Sequence, residues 1–423
     1  MRILLTGASG FVGRHLLYAL YRRGHTVVAA GRTPLPATLH KEFVFADFAH
    51  DLRLSDWVPR LCGIDLVINA VGIVRETNFE TFEAIHVRAP SALFDACVVA
   101  GVQRVIQISA LGADAGARSK YHLSKRRADE HLAGLPLAWT IVQPSLVYGP
   151  DGASAKLFTA LACLPYIPLV GNGSQLMQPV HIEDVISGIC TLIDEGLGQR
   201  AIIPFVGSAP ITLREYLATL RRSLGLGRAR YIRVPIRVMR LTARAAELLP
   251  RSLLNGETLE MLLRGNTGDA RPLQEILGRE TRAPDQFITP DVMDAVRVSA
   301  QLDWLLPLLR YSVALVWIVT GIVSLGPFPV SSSYELLARV GVSRALAPAL
   351  LYGAALMDLA FGIATLLVKR RRFVWLAQTG AILLYTIIIS AKMPEFWLHP
   401  FGPLLKNVPL LAAILVLYQL ERR

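Results

Sequence analysis

One turn near the start of this 423-residue chain limits its fold more than any other feature. Arg2-Ile-Leu-Leu-Thr6 is a short apolar run that passes directly into Gly7-Ala-Ser-Gly10-Phe-Val-Gly13, and apolar residues then recur at helical spacing from Phe11 to Arg23. Strand, glycine-rich turn and amphipathic helix in that order make the first half of a parallel β-α-β unit. Gly7 suits the tight turn, Gly10 lets the backbone come close to an anionic group, and Gly13 lets the helix pack against the sheet. The helix offers unpaired N–H groups and the positive end of its dipole, which is what a dinucleotide pyrophosphate requires. Ser9, Phe11 and Val12 complete the candidate phosphate turn.

The alternation continues. Apolar runs predict strands over Arg2–Thr6, Thr26–Ala30, Glu42–Ala46, Leu66–Ala70, Arg104–Ser109 and Trp139–Gln143, with helices between them, one spanning Ala89–Ala100. This is the pattern of a doubly wound parallel sheet of the Rossmann kind. From Pro144 to about Ile211 the spacing loosens, as for a small lobe that covers a substrate. The nucleotide-binding domain is expected to occupy residues 1–225, a basic helical connector 226–303 and a membrane domain 304–423.

The charge is distributed as unevenly as the hydropathy. Lysines and arginines exceed acids by 44 to 32, and ten arginines face two acids between Arg214 and Arg251. In the helical stretch from Pro235 to Leu249, Arg237, Arg240 and Arg244 follow Arg233 along one side. Val238, Leu241, Ala245 and Leu248 line another, so the stretch reads either as a membrane-interfacial helix or as an ordinary packed helix with a solvated basic face. Beyond it lie four apolar segments: Trp304–Gly326, Ala345–Val368, Phe373–Ala391 and the shorter Asn407–Leu420, which Pro400–Leu405 extends if Lys406 snorkels. Lys369-Arg-Arg-Arg372 falls after two crossings and Glu421-Arg-Arg423 after four. Both are then on the cytoplasmic side, with the amino-terminal domain. Ile3-Leu4-Leu5 is too short for a signal peptide, so the glycine-turn domain is expected to stay in the cytoplasm of a cell whose inner membrane holds the rest. No zinc-finger, RNA-recognition or basic-zipper pattern accompanies the positive charge, which excludes a nucleic-acid partner and favours anionic lipid. Cys62, Cys97, Cys163 and Cys190 lie far apart and read as reduced core residues rather than a disulfide or metal set, so no metal is expected.

Tyr121-His-Leu-Ser-Lys125 places a phenol and an ammonium on one helix face. A cation there favours the phenolate and is expected to lower the tyrosine pKa, which suits proton transfer. Ser109 closes the preceding strand, where its hydroxyl is a candidate to meet a carbonyl. With Thr6–Gly13, Asn69-Ala70-Val-Gly72, Ser109-Ala-Leu-Gly112, Gln143-Pro144-Ser-Leu-Val-Tyr-Gly149 and Val180-His-Ile-Glu-Asp184, the chain resembles the extended and atypical short-chain dehydrogenase/reductases. The resemblance spans residues 1 to about 225 and is nearest to the atypical group containing the NAD(P)-binding accessory subunit of respiratory complex I. It implies that Tyr121 is the general acid/base, that Lys125 holds the nicotinamide ribose, and that Ser109 orients the carbonyl. It also implies that Ala70, Gly72 and Pro144 line the cofactor and that Asp47 meets the adenine edge. Two departures stand out. Ser109 precedes Tyr121 by 12 residues, and His86 stands where many relatives carry asparagine.

The end of the second strand selects the cofactor. Ala29-Ala-Gly-Arg32 carries no acid to bond ribose hydroxyls, and Arg32, helped by Arg14, suits a 2′-phosphate; NADP is expected, with NAD the alternative. In the apolar region Asp358 is an acid near mid-bilayer, a placement that costs about 2.5–3.5 kcal/mol and asks for an interior position and a partner, with Arg310 the candidate and protonation of Asp358 the alternative. Leu309–Gly321 together with Gly353–Gly362 resembles the DoxX-like four-helix membrane family, which implies architecture more than activity. The expected function is a membrane-anchored NAD(P)-dependent oxidoreductase acting on a carbonyl or hydroxyl group of a lipophilic substrate. A non-catalytic nucleotide sensor or assembly factor of a membrane complex, and an NAD(P)-using epimerase or dehydratase, remain the alternatives.

Overall fold

The computed structural model describes residues 1–34, 42–246 and 255–421 and divides into two compact units, Met1–Ala300 and Gln301–Arg423. Unit 1 opens with β1 (Arg2–Thr6), β2 (Thr26–Gly31), β3 (Glu42–Phe45), β4 (Leu66–Asn69), β5 (Arg104–Ile108) and β6 (Ala138–Pro144). Shorter strands follow: β7 (Val147–Tyr148), β8 (Ile167–Val170), β9 (Leu176–Met177) and β10 (Val180–His181), then β11 (Ala201–Phe205), β12 (Ile211–Thr212) and β13 (Tyr231–Val234). Between and after them run α1 (Phe11–Arg22), α2 (Leu54–Trp57), α3 (Ala89–Ala100), α4 (Lys120–Ala133), α5 (Ala153–Cys163), α6 (Ile182–Asp194), α7 (Leu213–Ser223), α8 (Ile236–Ala246), α9 (Gly256–Arg264) and α10 (Arg271–Leu277). Each of the six expected strands is present, its ends within a residue of the expectation.

Seven strands pair in parallel in the order β11-β6-β5-β4-β1-β2-β3. Both faces of this sheet are covered, which is why its strands read as near-continuous apolar runs. Ile3 and Leu5 of β1 pack with Leu16, Leu20, Ile189 and Phe205 on one face, whereas Leu4 packs with Trp57, Leu93 and Phe94 on the other. Burying each such side chain stabilises the domain by roughly 1.5–3 kcal/mol. The strand order reverses between β1 and β4. The crevice outside their carboxyl ends is where ligands bind in doubly wound sheets.

The smaller lobe joins β7 to β10, β12 to β9 and β13 to β8 around Tyr148, Tyr216, Leu220 and Phe287. Of the stretch 226–303 expected as a connector, the described residues up to Ala300 fall in unit 1. β13 pairs with β8, Leu273 of α10 joins the core under the main sheet, and Arg279 reaches the buried Asp184 at 2.6 Å. The part of the basic helical stretch beyond Ala246, Leu248 included, lies outside the described residues, as do Arg422 and Arg423.

The division at residue 300 falls inside α11 (Pro290–Ser324), followed by α12 (Val330–Arg339), α13 (Ala347–Leu367), α14 (Arg372–Lys392) and α15 (Asn407–Leu420). α11, α13 and α14 are long and apolar enough to cross a membrane. The fourth expected segment forms α15, apolar but only 14 residues long. α11 and α13 meet at glycines: a Cβ on Gly321 would lie 2.8 Å from the Ala355 carbonyl oxygen, and one on Gly362 3.1 Å from that of Ala314. Small residues at such crossings let backbones approach where apolar burial gives helices no preference for each other over lipid. Asp358 is buried as expected, but Arg310 is not its partner. Among the described residues its Oδ1 has no hydrogen bond, and the Arg310 guanidinium lies over Tyr311 instead. Thr365 and Gln378, both fully buried, bond to each other at 2.8 Å.

Candidate active site

The glycine turn has the conformation its residues suggest. Gly7 is left-handed at φ +69°, and its carbonyl accepts the Gly10 N–H at 2.8 Å. A Cβ on Gly13 would sit 2.0 Å from that same carbonyl oxygen, and one on Gly7 would meet the Ala70 carbonyl at 2.7 Å. Gly7 and Gly13 are therefore required by close backbone approaches, one to β4 and one across the turn. No side chain caps α1, which leaves its first N–H groups available to an anion. Ser9 and Gly10 are exposed, while Phe11 and Val12 are half-buried against the core. The Phe11 ring fills the space that side chains at Gly149 and Gly152 would need. Arg14, expected to add charge beside Arg32, pairs instead with Asp151 of that loop at 2.6 Å.

A buried polar row ties the carboxyl ends of three strands. Thr6 Oγ1 donates to Asn69 Oδ1 at 2.6 Å, and Asn69 Nδ2 donates to Gln107 Oε1 at 2.7 Å. Gln107 in turn bonds Asp129. Asn69 Oδ1 also accepts the Val71 N–H, which shapes the Ala70–Gly72 turn.

α4 begins at Ser119, whose Oγ accepts the His122 N–H at 3.2 Å, and so presents Tyr121 and Lys125 on one face. Lys125 is buried. Its Nζ donates to the Val71 carbonyl at 3.3 Å and the Ile108 carbonyl at 3.1 Å, bridging the ends of β4 and β5 beside Gly72. Burial, opposed by Asp129, brings its pKa down to about 8. The half-buried Tyr121 ring packs edge-on to Phe82, His86 and His122. The expected lowering of its pKa is absent: burial, with the Asp129 carboxylate adding to it, pushes the phenol up to about 12. Burial weakens the cation that was to favour the phenolate and also penalises the phenolate itself.

Asp129 lies one further turn along the same face. Ser109 donates its hydroxyl to this carboxylate, and Gln143 stands 3.5 Å away. Burial raises the Asp129 pKa to about 6 against these bonds and the Lys125 charge. Ser109 is thus buried and turned to Asp129, whereas its place in the sequence suggested a hydroxyl free for a substrate carbonyl. The spacing of 121, 125 and 129 at four-residue steps was the available signal for Asp129.

His86 lies in a π-helical turn, Glu83–Arg88. Its Nε2 accepts the Ile73 N–H at 3.0 Å, so the ring proton is on Nδ1, which donates to Ser124 Oγ at 2.9 Å. Ser124 then donates to the Tyr121 carbonyl at 2.8 Å. Burial and Lys125 hold His86 neutral, its pKa down to about 2.

Arg32, just past β2, forms an ion pair with Glu80 at 2.7 Å, an acid from the loop after β4 that no local pattern places there. Asp47 accepts the Ala49 N–H at 3.0 Å and faces His50, closing its own turn. Pro144 ends β6, and its carbonyl accepts the Leu111 N–H at 2.9 Å. Arg264, at the end of α9, donates to the Gly112 carbonyl at 2.7 Å and to both Asp114 oxygens, steadying the loop between β5 and α4.

Residues 3–203 match the family model of the NAD dependent epimerase/dehydratase family, and residues 314–415 that of the DoxX-like family. Among curated relatives, the NADH dehydrogenase [ubiquinone] 1 alpha subcomplex subunit 9, mitochondrial, of Arabidopsis thaliana is 28% identical over 247 residues, 56% of this chain and 61% of that protein. The ceramide reductase of Caulobacter vibrioides is 30% identical over 184 residues, 43% of this chain and 57% of its own length. A 4-hydroxy-2-methyl-3-oxo-4-farnesyl-3,4-dihydroquinoline-1-oxide ketoreductase of Stigmatella aurantiaca is 24% identical, covering 71% of this chain and 94% of that protein. The chain thus spans about three fifths of the length of the first two. Two solved structures share the fold of unit 1. One is UDP-glucuronic acid 4-epimerase from Bacillus cereus with NAD (TM-score 0.53, 20% identity, 72% of this chain and 100% of that one). The other is the NADPH-dependent quinone oxidoreductase QOR2 from Escherichia coli with NADPH (TM-score 0.55, 18% identity, 68% and 98%). The chain joins an NAD(P)-binding domain of the epimerase/reductase type to a DoxX-like domain, and the latter with three apolar helices marks a membrane protein.

Proposed function

We propose, from an NAD(P)-binding domain of the epimerase/reductase type joined to a DoxX-like membrane domain, that this protein transfers hydride between NADP(H) and a carbonyl or hydroxyl group of a lipophilic substrate. The observation that carries the reading is the Tyr121–Lys125 face of α4 set against the carboxyl ends of β4 and β5. Lys125 spans the ends of β4 and β5 there, and the adjoining Gly7 turn leaves its N–H groups to an anion. Tyr121 serves as the proton donor to a reduced carbonyl, and Lys125 leaves its two backbone carbonyls to bond the nicotinamide ribose. A tyrosine with a raised pKa keeps its proton at neutral pH, which suits carbonyl reduction better than alcohol oxidation. Ser109 acts through Asp129. Arg32 meets the 2′-phosphate. The ceramide reductase and farnesyl-quinoline ketoreductase relatives support a lipophilic carbonyl compound as the substrate.

The membrane domain crosses four times in this reading, with α15 as the last span and both termini in the cytoplasm of a cell whose inner membrane holds it. A second reading, a nucleotide-holding subunit of a membrane complex without turnover, is favoured by the NADH dehydrogenase relatives and by Ser109 being committed to Asp129. The deciding experiment incubates detergent-purified protein with NADPH and a panel of long-chain ketones, quinones and ceramide precursors, and follows NADPH oxidation. Mass spectrometry of copurified nucleotide and lipid guides the panel. Steady oxidation of one substrate class, absent in Tyr121→Phe, supports the enzyme. Tight nucleotide with no turnover across the panel would establish the second reading.

A further inference from the structure

The part of unit 1 formed by β13 and α8 exposes more apolar surface than its surroundings require. Ile232 is 52% exposed, Ile236 39%, Val238 46% and Leu241 68%, and Tyr166 beside β8 is 52% exposed with the Arg230 guanidinium over its ring. Met239 and Ala243 turn inward onto Val170 and Leu259, which fixes how α8 is rotated. With those two inside, Val238, Leu241 and Ala245 share the outward face at helical spacing, and Arg237, Arg240 and Arg244 run along its flank. Residues 228–246 hold six arginines and no acid. Of these six, Arg240 alone forms an ion pair among the described residues, with Glu260 at 3.2 Å.

We propose that this face docks on the headgroup layer of an anionic bilayer, with Leu241 and Val238 inserted among the acyl ends and the arginines on lipid phosphates. An aliphatic strip flanked by arginines and an exposed tyrosine is the chemistry of an interfacial helix. A second copy of the same face is a poor occupant, because it would set arginines against arginines, with the adjoining Glu260 already engaged by Arg240. The bilayer is also at high effective concentration, since the same chain continues into three helices able to cross it. Each arginine near an anionic surface shifts the docked-to-free ratio about fivefold, so reversing three of them is expected to shift it by more than about a hundredfold. The inference goes beyond the proposed reaction and needs neither nucleotide nor substrate for its test.

The full chain, with Cys62 replaced by serine because it is the exposed cysteine among the four, is placed in nanodiscs. Leu241→Cys carries an environment-sensitive fluorophore, and shallow spin-labelled lipid is the quencher. Leu197→Cys, exposed beside the amino end of β5, is the reference. In discs containing phosphatidylglycerol, position 241 is expected to be quenched strongly and 197 weakly. Quenching at 241 should be lost in the triple variant Arg233→Glu/Arg237→Glu/Arg244→Glu and retained when the same three become lysine. Equal quenching at 241 and 197 would overturn the proposal. So would equal quenching at 241 in pure phosphatidylcholine. Efficient disulfide cross-linking at position 241 between two copies of the unlabelled Leu241→Cys variant would overturn it as well, by giving the face to a second chain.

Discussion

Replacing Glu80 should change which dinucleotide the protein prefers. Arg32 Nη1 lies 2.7 Å from Glu80 Oε1, and the Arg32 side chain is 59% exposed. An exposed pair of this kind contributes only about 0–1 kcal/mol. A 2′-phosphate in its place gives Arg32 a charge-assisted bond of about 1.5–3 kcal/mol. Arg32→Ala then removes the phosphate bond but also the pair that binding had to break, a net loss of roughly 1–2.5 kcal/mol, or about 5- to 70-fold in NADPH affinity. Glu80→Gln works the other way. It frees Arg32 and removes a carboxylate that would compete with the phosphate for it, where repulsion between unit charges in water is about 1 kcal/mol, so NADPH should bind roughly 5- to 30-fold more tightly. NADH, with no 2′-phosphate, should change by less than about twofold in either variant. Nucleotide fluorescence titrations at low and high salt read all of this, and the Glu80→Gln gain should shrink as salt screens it. The reasoning fails if Arg32→Ala leaves the NADPH/NADH ratio unchanged, or if Glu80→Gln moves NADH as much as NADPH.

Tyr121→Phe should leave thermal stability and NADPH affinity within error of the parent, since the phenol makes no hydrogen bond among the described residues, while turnover on an identified substrate drops by about 10²–10⁴; wild-type turnover would remove Tyr121 from the chemistry. Gly13→Ala places its Cβ far inside contact with the Gly7 carbonyl, so it should cost about 1–3 kcal/mol in thermal unfolding and abolish nucleotide binding together; a variant that binds normally would refute the close approach. His86 is held at a pKa of about 2 against an ordinary 6.5, so the folded state refuses a proton that the unfolded chain accepts. Stability should therefore fall as pH drops below about 6.5, by up to about 1.4 kcal/mol per pH unit, with Asp129 offsetting part of this between about pH 6 and 4 because its folded pKa is raised. Melting curves of His86→Asn should show a flatter acid limb, and an equally steep one would mean that His86 is not the cause. Reporter fusions near Asp303, after Val368 and at the carboxyl terminus should all report cytoplasm, and one between Phe328 and Ser343 the far side; a carboxyl-terminal reporter on the far side would reduce the spans to three.

Much of the main sheet was legible because parallel strands buried on both faces leave near-continuous apolar runs, as in Ile3–Leu5 and Leu66–Ile68. The glycine turn and the Tyr121–Lys125 step were legible because each is a local pattern whose spacing is its geometry. Contacts made across the chain were not. Ser109 with Asp129, Arg32 with Glu80 and Arg264 with Asp114 join residues 20, 48 and 150 positions apart, and no periodicity reports such pairings. The tyrosine pKa departs from the sequence expectation for a related reason: spacing shows that a cation shares the face, but the burial that reverses its effect is a property of the packed site. Arg14 and Asp358 follow the same rule. Sequence distance made Arg32 and Arg310 their natural neighbours, and folding gave Arg14 to Asp151 and left Asp358 without Arg310.

The row Thr6–Asn69–Gln107–Asp129 has a bearing on how such a chain can evolve. Its first three side chains are almost fully enclosed, and each completes the bonding of the next. Exchanging any single member for an apolar residue strands a neighbour at about 1–3 kcal/mol, a large fraction of the margin a domain of this size commonly has. Exchanging the whole set for apolar residues of matching shape is nearly neutral. The two solutions are therefore separated by intermediates that fold poorly, and descendants should keep or lose the row as a block. Divergent copies of this domain that have abandoned the Tyr121–Lys125 face should still carry the row, because its removal is blocked by the path rather than by the destination.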